Sequence, residues 1–149
     1  MKIAVGSDHA GFELKQKVAP LLERLGHEIV DVGTDSDDST DYPIYAAEAA
    51  RLVSEGAADR AVLVCGSGVG VSIVANKVDG VRAVNAHSAD EAEMSRRHND
   101  ANVLALAGRQ LGEDDAEAIV ERFLATDFEG GRHQRRVDQI AAVERGENP

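Results

Sequence analysis

One stretch of the sequence, residues 61–76, constrains the fold more than any other, and it reads AVLVCGSGVGVSIVAN. It opens with small and β-branched apolar residues that lead to Cys65, a pattern typical of a short buried strand. Three glycines then interrupt the apolar character before a second apolar run begins at Val71. This order predicts a strand, a tight glycine loop and the first turns of a helix.

The glycine loop has the properties of an anion-binding site. Glycine lets the backbone curl so that successive N–H groups point at one spot, and the following helix adds its positive N-terminal end. The loop lacks the Lys-Ser/Thr ending of a P-loop and the glycine spacing of a dinucleotide-binding turn. A simple strand–helix turn remains open, but we favour a site for a small oxyanion, with the Cys65 thiol at its rim.

The other apolar segments alternate between lengths that are typical of strands and of helices. Besides the central strand, the pattern predicts strands at 2–6, 28–32, 81–86 and 102–107. Helices are expected at 12–25, 42–55, 88–98, 113–126 and 132–145, in addition to the helix after the glycine loop. Pro20 is expected to kink or restart the first helix, and Ser88 with Glu91 predicts a capping box.

Strands that alternate with helices indicate an α/β fold, here a single-domain, doubly wound, Rossmann-like sheet of five parallel strands. Residues 1–149 are expected to form this one domain, with residues 146–149 as a disordered tail. The helix at 132–145 falls outside the alternation and is an extra C-terminal helix. Packing against a second subunit is a natural role for it.

Composition excludes several classes of partner. The formal net charge of −11 over 149 residues repels nucleic acid and anionic membranes. No apolar run is long enough to cross a bilayer, and the polar residues from Ser7 onward leave no room for a signal-peptide core. We therefore expect a cytoplasmic protein without a membrane or nucleic-acid partner. The single cysteine excludes an intrachain disulfide.

Polar residues that follow strands mark the candidate site, because ligands of doubly wound sheets bind beyond the carboxyl ends of the strands. The candidates at that edge are Asp8, His9, Cys65 to Gly70, His87, Asn99 and Arg109. An isolated cysteine is more often an inert core residue, but a glycine nest and a helix N-terminus both favour the thiolate form. Cys65 is therefore a candidate nucleophile or general base.

The histidines have both structural and functional interpretations. His98 closes a predicted helix, where the helix dipole alone favours a histidine, but beside Asn99 it is also a candidate for proton transfer. His27 and His87 are read as ordinary surface histidines. The acidic loop at 35–41 lacks the ligand order of an EF-hand, so we read it as solvated and expect no metal site.

The densest basic patch of this acidic chain lies at 132–136. Arg132 and Arg136 are spaced i, i+4, so two guanidinium forks share a helix face and suit a phosphate. Pairing of these arginines with nearby acids such as Glu129 and Asp138 is the alternative, and the sequence leaves both open. Arg109, after the last strand, is a further candidate for phosphate.

These motifs together resemble one family over nearly the whole length of the chain. The family is that of sugar-phosphate isomerases, which includes ribose-5-phosphate isomerase B and the galactose-6-phosphate and allose-6-phosphate isomerases. The resemblance rests on GSDHAGFELK at 6–15, DVGT and TDYP within 31–43, CGSGVGVSIVANK at 65–77, RRHNDANVLALAGR at 96–109 and EGGRHQRRV at 129–137.

The resemblance implies an aldose–ketose isomerisation of ribose 5-phosphate and ribulose 5-phosphate without metal or cofactor. By motif position, Cys65 would move a proton between C2 and C1 of the sugar, and His98 would help open the furanose ring, with Asp8 nearby. The enediolate oxygen would bind to Gly66, Ser67, Gly68, Val69 and Gly70. The sugar hydroxyls would contact Asn99, and the phosphate would bind to His9, Arg109, Arg132 and Arg136.

The same resemblance implies a homodimer or a dimer of dimers in which each site is built across two subunits. Some members replace the cysteine by a glutamate a few residues later, but this chain has Cys65 and carries serine at position 72. Three alternatives stay open: an isomerase of another aldose phosphate, with allose, galactose or a tetrose as the sugar; a non-catalytic phosphosugar-binding module; and a subunit that is active only in a hetero-oligomer.

Overall fold

The computed structural model describes all 149 residues. Five strands alternate with the first five helices, and a sixth helix follows. The strands are β1 (Lys2–Ser7), β2 (Glu28–Gly33), β3 (Arg60–Cys65), β4 (Ala83–Asn85) and β5 (Val103–Ala107). The helices are α1 (Phe12–Arg24), α2 (Tyr42–Ser54), α3 (Val69–Ala75), α4 (Ala89–Asn99), α5 (Glu113–Ala125) and α6 (Arg132–Glu144).

The strands form one parallel sheet in the order β2-β1-β3-β5-β4. Val62 of β3 lies opposite Val5 of β1 and Leu104 of β5, so the three central strands are in register. The chain first winds outward from β1 to β2, and then returns to the other side of β1 with β3. The predicted doubly wound fold is confirmed, and its switch point lies between β1 and β3.

The two faces of the sheet bury different side chains because successive residues of a strand point to opposite faces. Val62 and Val64 face a layer made by α1, α4 and α5, which is filled with large residues such as Phe123. Ala61, Leu63 and Cys65 face the layer beneath α2 and α3. Eight of the thirteen residues in this second cluster are alanine, so the α2/α3 layer is built mostly from small side chains.

The structure decides three local predictions, at Pro20, in β4 and at Ser88. The expected break at Pro20 is wrong in that α1 continues through it; Val18, Leu21 and Leu22 are buried on both sides of the proline, and their packing holds one helix. The strand β4 is shorter than the predicted 81–86. The cap at Ser88 is confirmed, since its Oγ accepts the N–H of Glu91 at 3.1 Å.

The helix α6 lies outside both layers and packs against α4. Of its residues, His133 and Val137 are buried, whereas Ile140 and Val143 are exposed. After Glu144 the chain forms no further helix or strand, and the disorder expected for 146–149 stays a prediction. No helix combines the length and the apolar character that crossing a bilayer would require.

Candidate active site

A cleft of about 610 Å³ lies at the carboxyl ends of β1, β3 and β5. Its position follows from the topology, because this is the edge where the strand order reverses. Eight of the candidate residues line it: Asp8, His9, Cys65, Gly66, Ser67, Val69, Gly70 and Arg109. The sequence argument from strand ends therefore found most of the lining of this cleft.

Cys65 forms part of the wall of the cleft at the last position of β3. It is 5% exposed, and it belongs to the small-residue α2/α3 layer. Its carbonyl accepts the N–H of Gly108 at 2.8 Å, and the carbonyl of Gly66 accepts the N–H of Arg109 at 3.1 Å. These two bonds tie the ends of β3 and β5 together, so the backbone beneath the thiol is fixed.

The glycine loop turns directly from Cys65 into α3. Gly68 has φ of +76°, the left-handed region that favours glycine, and it occupies the cap position of the helix. The N–H of Val69 donates to Ser67 Oγ at 3.2 Å, and the amide of Asn85 donates to the carbonyl of Ser67 at 3.2 Å. The other N–H groups of the first helical turn have no helical partner and are available to an anion at the cleft.

The substitution Gly68→Ala tests how strictly this loop is built. A Cβ there would lie 2.3 Å from Asn85 Oδ1, and the positive φ alone costs about 1–2 kcal/mol. We expect the free energy of unfolding to fall by more than about 2 kcal/mol and activity to fall with it. Gly80→Ala is the matched control, because Gly80 has φ of +81° with no neighbour within 4 Å. If denaturant unfolding shows that Gly68→Ala and Gly80→Ala lower the free energy of unfolding equally, a role for the Asn85 contact is contradicted.

Asp8 and His9 hold the turn that follows β1. Asp8 is buried, and its Oδ1 accepts the N–H of Gly11 at 3.0 Å, so it caps the turn as well as lining the cleft. His9 Nδ1 lies 3.1 Å from the backbone nitrogen of Thr40 and 3.2 Å from its carbonyl oxygen. The backbone of Thr40 thus holds this nitrogen, and Nε2 is the ring nitrogen left to face a ligand.

Arg109 supplies the positive charge of the cleft. A Cβ on Gly66 would lie 3.4 Å from Arg109 Cδ and 3.5 Å from Nη1, so the guanidinium extends over the glycine loop. Lys15, Arg96 and Arg97 pair with carboxylates, whereas Arg109 has no carboxylate partner. In a chain of net charge −11, an unpaired arginine over an oxyanion loop is a local site for an anionic group.

The sequence argument missed four residues of the cleft, namely Ala10, Tyr42, Ile73 and Gln110. Tyr42 begins α2, and its ring packs so closely on Gly70 that a Cβ there would lie 2.5 Å from Tyr42 Cε1. A topological signal was available. In a β-α-β unit each helix begins at the carboxyl edge of the sheet, so the first residue of α2 had to lie near that edge.

Four other candidates lie elsewhere in the same chain: His98, Asn99, Arg132 and Arg136. The expectation that Asn99 joins the strand-end edge is wrong within one chain, because α4 runs back from that edge and ends at the opposite one. Asn99 instead lines a groove of about 460 Å³ together with Ile140 and Val143 of α6. His98 stacks on His133, and His87 stays on the surface beside Glu91.

Arg132 and Arg136 do not form the ion pairs with Glu129 and Asp138 that the sequence left open. Glu129 lies 3.5 Å from His133 and 4.0 Å from Arg97, and Asp138 accepts a hydrogen bond from Gln134 at 2.8 Å. Both arginines are exposed and have no carboxylate partner. Their guanidinium groups are therefore free to bind an anion.

Exposed apolar residues accompany both groups of candidates. Val69 and Ile73 lie at the cleft and are 49% and 55% exposed. Ile140 and Val143 line the groove that contains Asn99 and are 46% and 60% exposed. Apolar surface of this kind beside functional groups is typical of a protein–protein interface.

The group His98, Glu129 and His133 has the residue types of a metal site, with ligand atoms within 4.8 Å of one another. The two imidazole rings are stacked, with centroids 4.2 Å apart and planes inclined by 13°. Nitrogen lone pairs lie in the ring plane, so two near-parallel rings cannot direct theirs at one ion. Burial, and next the charge of His98, lower the pKa of His133.

Comparison with known proteins gives one consistent result. The family model described as Ribose/Galactose Isomerase matches residues 3–140. Ribose-5-phosphate isomerase B of Escherichia coli is 48% identical over 147 residues, which cover 99% of both chains. The putative sugar phosphate isomerase YwlF of Bacillus subtilis is 43% identical, with 97% of each chain covered.

Solved structures agree with the sequence comparisons. Ribose-5-phosphate isomerase B of Clostridium thermocellum superposes with a TM-score of 0.97 at 46% identity, covering 98% of this chain and 99% of that one. Type B ribose 5-phosphate isomerase of Trypanosoma cruzi superposes with a TM-score of 0.95 at 38% identity, covering 99% and 100%. These similarities extend over the cleft, the glycine loop and α6.

Proposed function

Because this chain belongs to the ribose/galactose isomerase family, we propose that it interconverts ribose 5-phosphate and ribulose 5-phosphate. One observation carries the proposal at the level of chemistry. A thiol, an oxyanion loop and an unpaired arginine share one cleft at Cys65, Gly66–Gly70 and Arg109. An aldose–ketose isomerase needs these three functions, namely a base, a site for a charged oxygen and an anchor for phosphate.

The reaction on this cleft is a proton transfer between neighbouring carbons. The Cys65 thiolate removes the proton from C2 of the open-chain aldose, and the C2 electron pair forms the C1–C2 double bond of an enediolate. The charge moves to the oxygen on C1, where the N–H groups of the glycine loop stabilise it. The proton of the C2 hydroxyl passes to the oxygen on C1, the thiol returns the carbon-bound proton to C1, and C2 becomes the ketone, so no electron acceptor is required.

The phosphate is the remote anchor of the substrate. Arg109 extends over the glycine loop, and His9 offers its Nε2 because its Nδ1 is held by the backbone of Thr40. Binding energy from the phosphate holds C1 and C2 against the thiol, and such remote contacts raise the rate of the chemical step. Arg132 and Arg136 are free guanidinium groups that would complete the phosphate site.

We propose that two copies of the chain form each site. The groups for ring opening and for the rest of the phosphate, His98, Asn99, Arg132 and Arg136, lie apart from the cleft of their own chain. Both regions carry exposed apolar residues, among them Ile73 and Val143. A homodimer, alone or within a dimer of dimers, would cover this surface and bring His98 of one subunit to Cys65 of the other.

The same proposal covers the ligand, the cellular compartment and the partners of the protein. The ligand is a small phosphorylated sugar in the cytoplasm, handled without a metal or cofactor, and the charge of −11 keeps the protein from nucleic acid and membranes. A non-catalytic binding module is disfavoured, because a protein that only binds a sugar phosphate needs neither a thiol nor an imidazole at its site.

A panel of aldose phosphates tests the proposal with the purified chain alone. Ribose 5-phosphate is expected to give ribulose 5-phosphate with the highest kcat/KM, and allose 6-phosphate, galactose 6-phosphate and a tetrose phosphate are expected to react at least about tenfold more slowly. Formation of ketose is measured by its absorbance or by NMR. Faster turnover of another sugar would reassign the substrate, and binding without turnover would support the module.

A further inference from the structure

The stacked pair His98–His133 is a cluster of titratable groups whose arrangement the proposed reaction does not yet explain. The two rings lie face to face at 4.2 Å. His133 is 6% exposed in the first turn of α6, and its Nε2 lies 3.5 Å from Glu129 Oε2. His98, in the last turn of α4, is only partly buried.

The segment that carries Glu129 is tied to the end of α4. The N–H of Glu129 donates to the carbonyl of Arg97 at 3.1 Å, and the N–H of His133 donates to the carbonyl of Gly130 at 3.0 Å. The chain therefore holds His133 against α4 by its backbone on both sides of Gly130. A buried ring fixed in this way limits the orientations that the half-exposed ring of His98 can adopt.

The stack also places the two imidazoles in unlike surroundings. Two positive charges on rings 4.2 Å apart would repel each other. Burial lowers the pKa of His133, with further contributions from His98, Arg132 and Arg136, while Glu129 opposes them. His98 is the more accessible of the two rings.

We propose that His133, held by Glu129, is a positioning residue that orients His98 for the opening of the sugar ring. This inference rests on the proposed function. In that step His98 as imidazolium donates a proton to the ring oxygen O4, the C1–O4 bond breaks, and the C1 hydroxyl releases its proton to water. The aldehyde forms without any redox change, and His98 regains its proton from solvent.

The chemistry of the two sugars allows ring opening to be measured apart from the proton transfer at carbon. Ribose 5-phosphate closes to a furanose through O4. Ribulose 5-phosphate stays open, because its O5 carries the phosphate and attack of O4 on C2 would form a four-membered ring. Exchange of a C1 hydrogen of ribulose 5-phosphate with D₂O therefore reports on Cys65 and the glycine loop, without ring opening.

The test compares His133→Ala, His133→Phe and Glu129→Gln with the unmodified protein. For His133→Ala we expect the conversion of ribose 5-phosphate to fall by about 10- to 100-fold, while C1 exchange stays within about threefold. His133→Phe keeps a flat ring against His98 and is expected to recover most of the loss. Glu129→Gln is the milder variant, and His87→Ala is a control on an exposed histidine.

The two activities separate this inference from the proposed function. Unchanged conversion in His133→Ala, or equal loss of conversion and exchange, would overturn the positioning role. If His133→Phe converts ribose 5-phosphate no faster than His133→Ala does, the stacking argument is overturned. If His133→Ala does not fold, the same comparison in Glu129→Gln decides. Absence of both activities in the unmodified protein would instead reject the proposed function.

Discussion

Replacement of Cys65 by alanine is expected to lower kcat for ribose 5-phosphate by about 10²- to 10⁴-fold, the contribution of a positioned general base. The thiol is the only group of the cleft proposed to accept the carbon-bound proton. C1 exchange of ribulose 5-phosphate should fall by the same factor, because both reactions begin with that step. Coupled ketose assays and deuterium incorporation measure the two losses.

The binding of sugar phosphate should survive this change. Arg109 and His9 remain, and Cys65 is small and sits among alanines, so its removal leaves a minor cavity. The Kd of ribitol 5-phosphate, which has no carbonyl and cannot react, is expected to stay within about threefold by calorimetry. Cys65→Ser is the matched control of size, and it should be nearly as inactive, since a hydroxyl is a far weaker base at neutral pH. Full activity of Cys65→Ala would disprove the proposed base.

Mixing two inactive variants is expected to restore activity from almost nothing to about a quarter of the unmodified value. One variant is Cys65→Ala and the other His98→Asn. In a mixed dimer, one site receives Cys65 from one chain and His98 from the other and is intact, while the second site carries both defects. Random pairing makes half of the dimers mixed, which leaves one site in four intact.

Coexpression of the two chains with different tags, followed by tandem purification, isolates the mixed dimers, in which one site of two is intact. Their activity with ribose 5-phosphate should therefore reach about half of the unmodified value, against a quarter for the unfractionated mixture. The matched control pairs Cys65→Ala with Arg109→Met. Both of those residues line the same cleft, so every site of that mixed dimer is defective and no activity should return. Recovery in the control, or none in the first pair, would show that sites are not shared as proposed.

The sequence was sufficient for the fold and for most of the residues that line the cleft. Strand β3 and the glycine loop were readable because apolar residues, Cys65 and glycines occur in an order with one local solution. The effect of Pro20 was not readable, because it depends on buried neighbours of α1 rather than on the proline itself. The length of the edge strand β4 was not readable either, because β4 pairs with β5 alone.

The remaining site residues were harder for a topological reason. A strand end fixes a residue to one edge of the sheet, and that rule found Asp8, His9 and Arg109. Asn99 ends a helix, which places it at the opposite edge, so its assignment to the strand-end edge does not hold within one chain. The proposed contact of a second copy with that edge is not encoded in periodicity or spacing, since it would depend on the complementarity of two finished surfaces.

The alanine-rich layer beneath α2 and α3 has a consequence for the speed of the chemistry. Alanine has no side-chain rotamers, so Ala46, Ala75 and Ala105 cannot relax by rotating when a charge develops at the loop above them. The glycine loop thus packs near side chains that cannot change rotamer, and we expect the orientation of its backbone amides to change little when substrate binds. Little free energy is then spent on reorientation at the moment of proton transfer. Substitution of Ala46 or Ala75 by valine is therefore expected to lower kcat before it lowers stability.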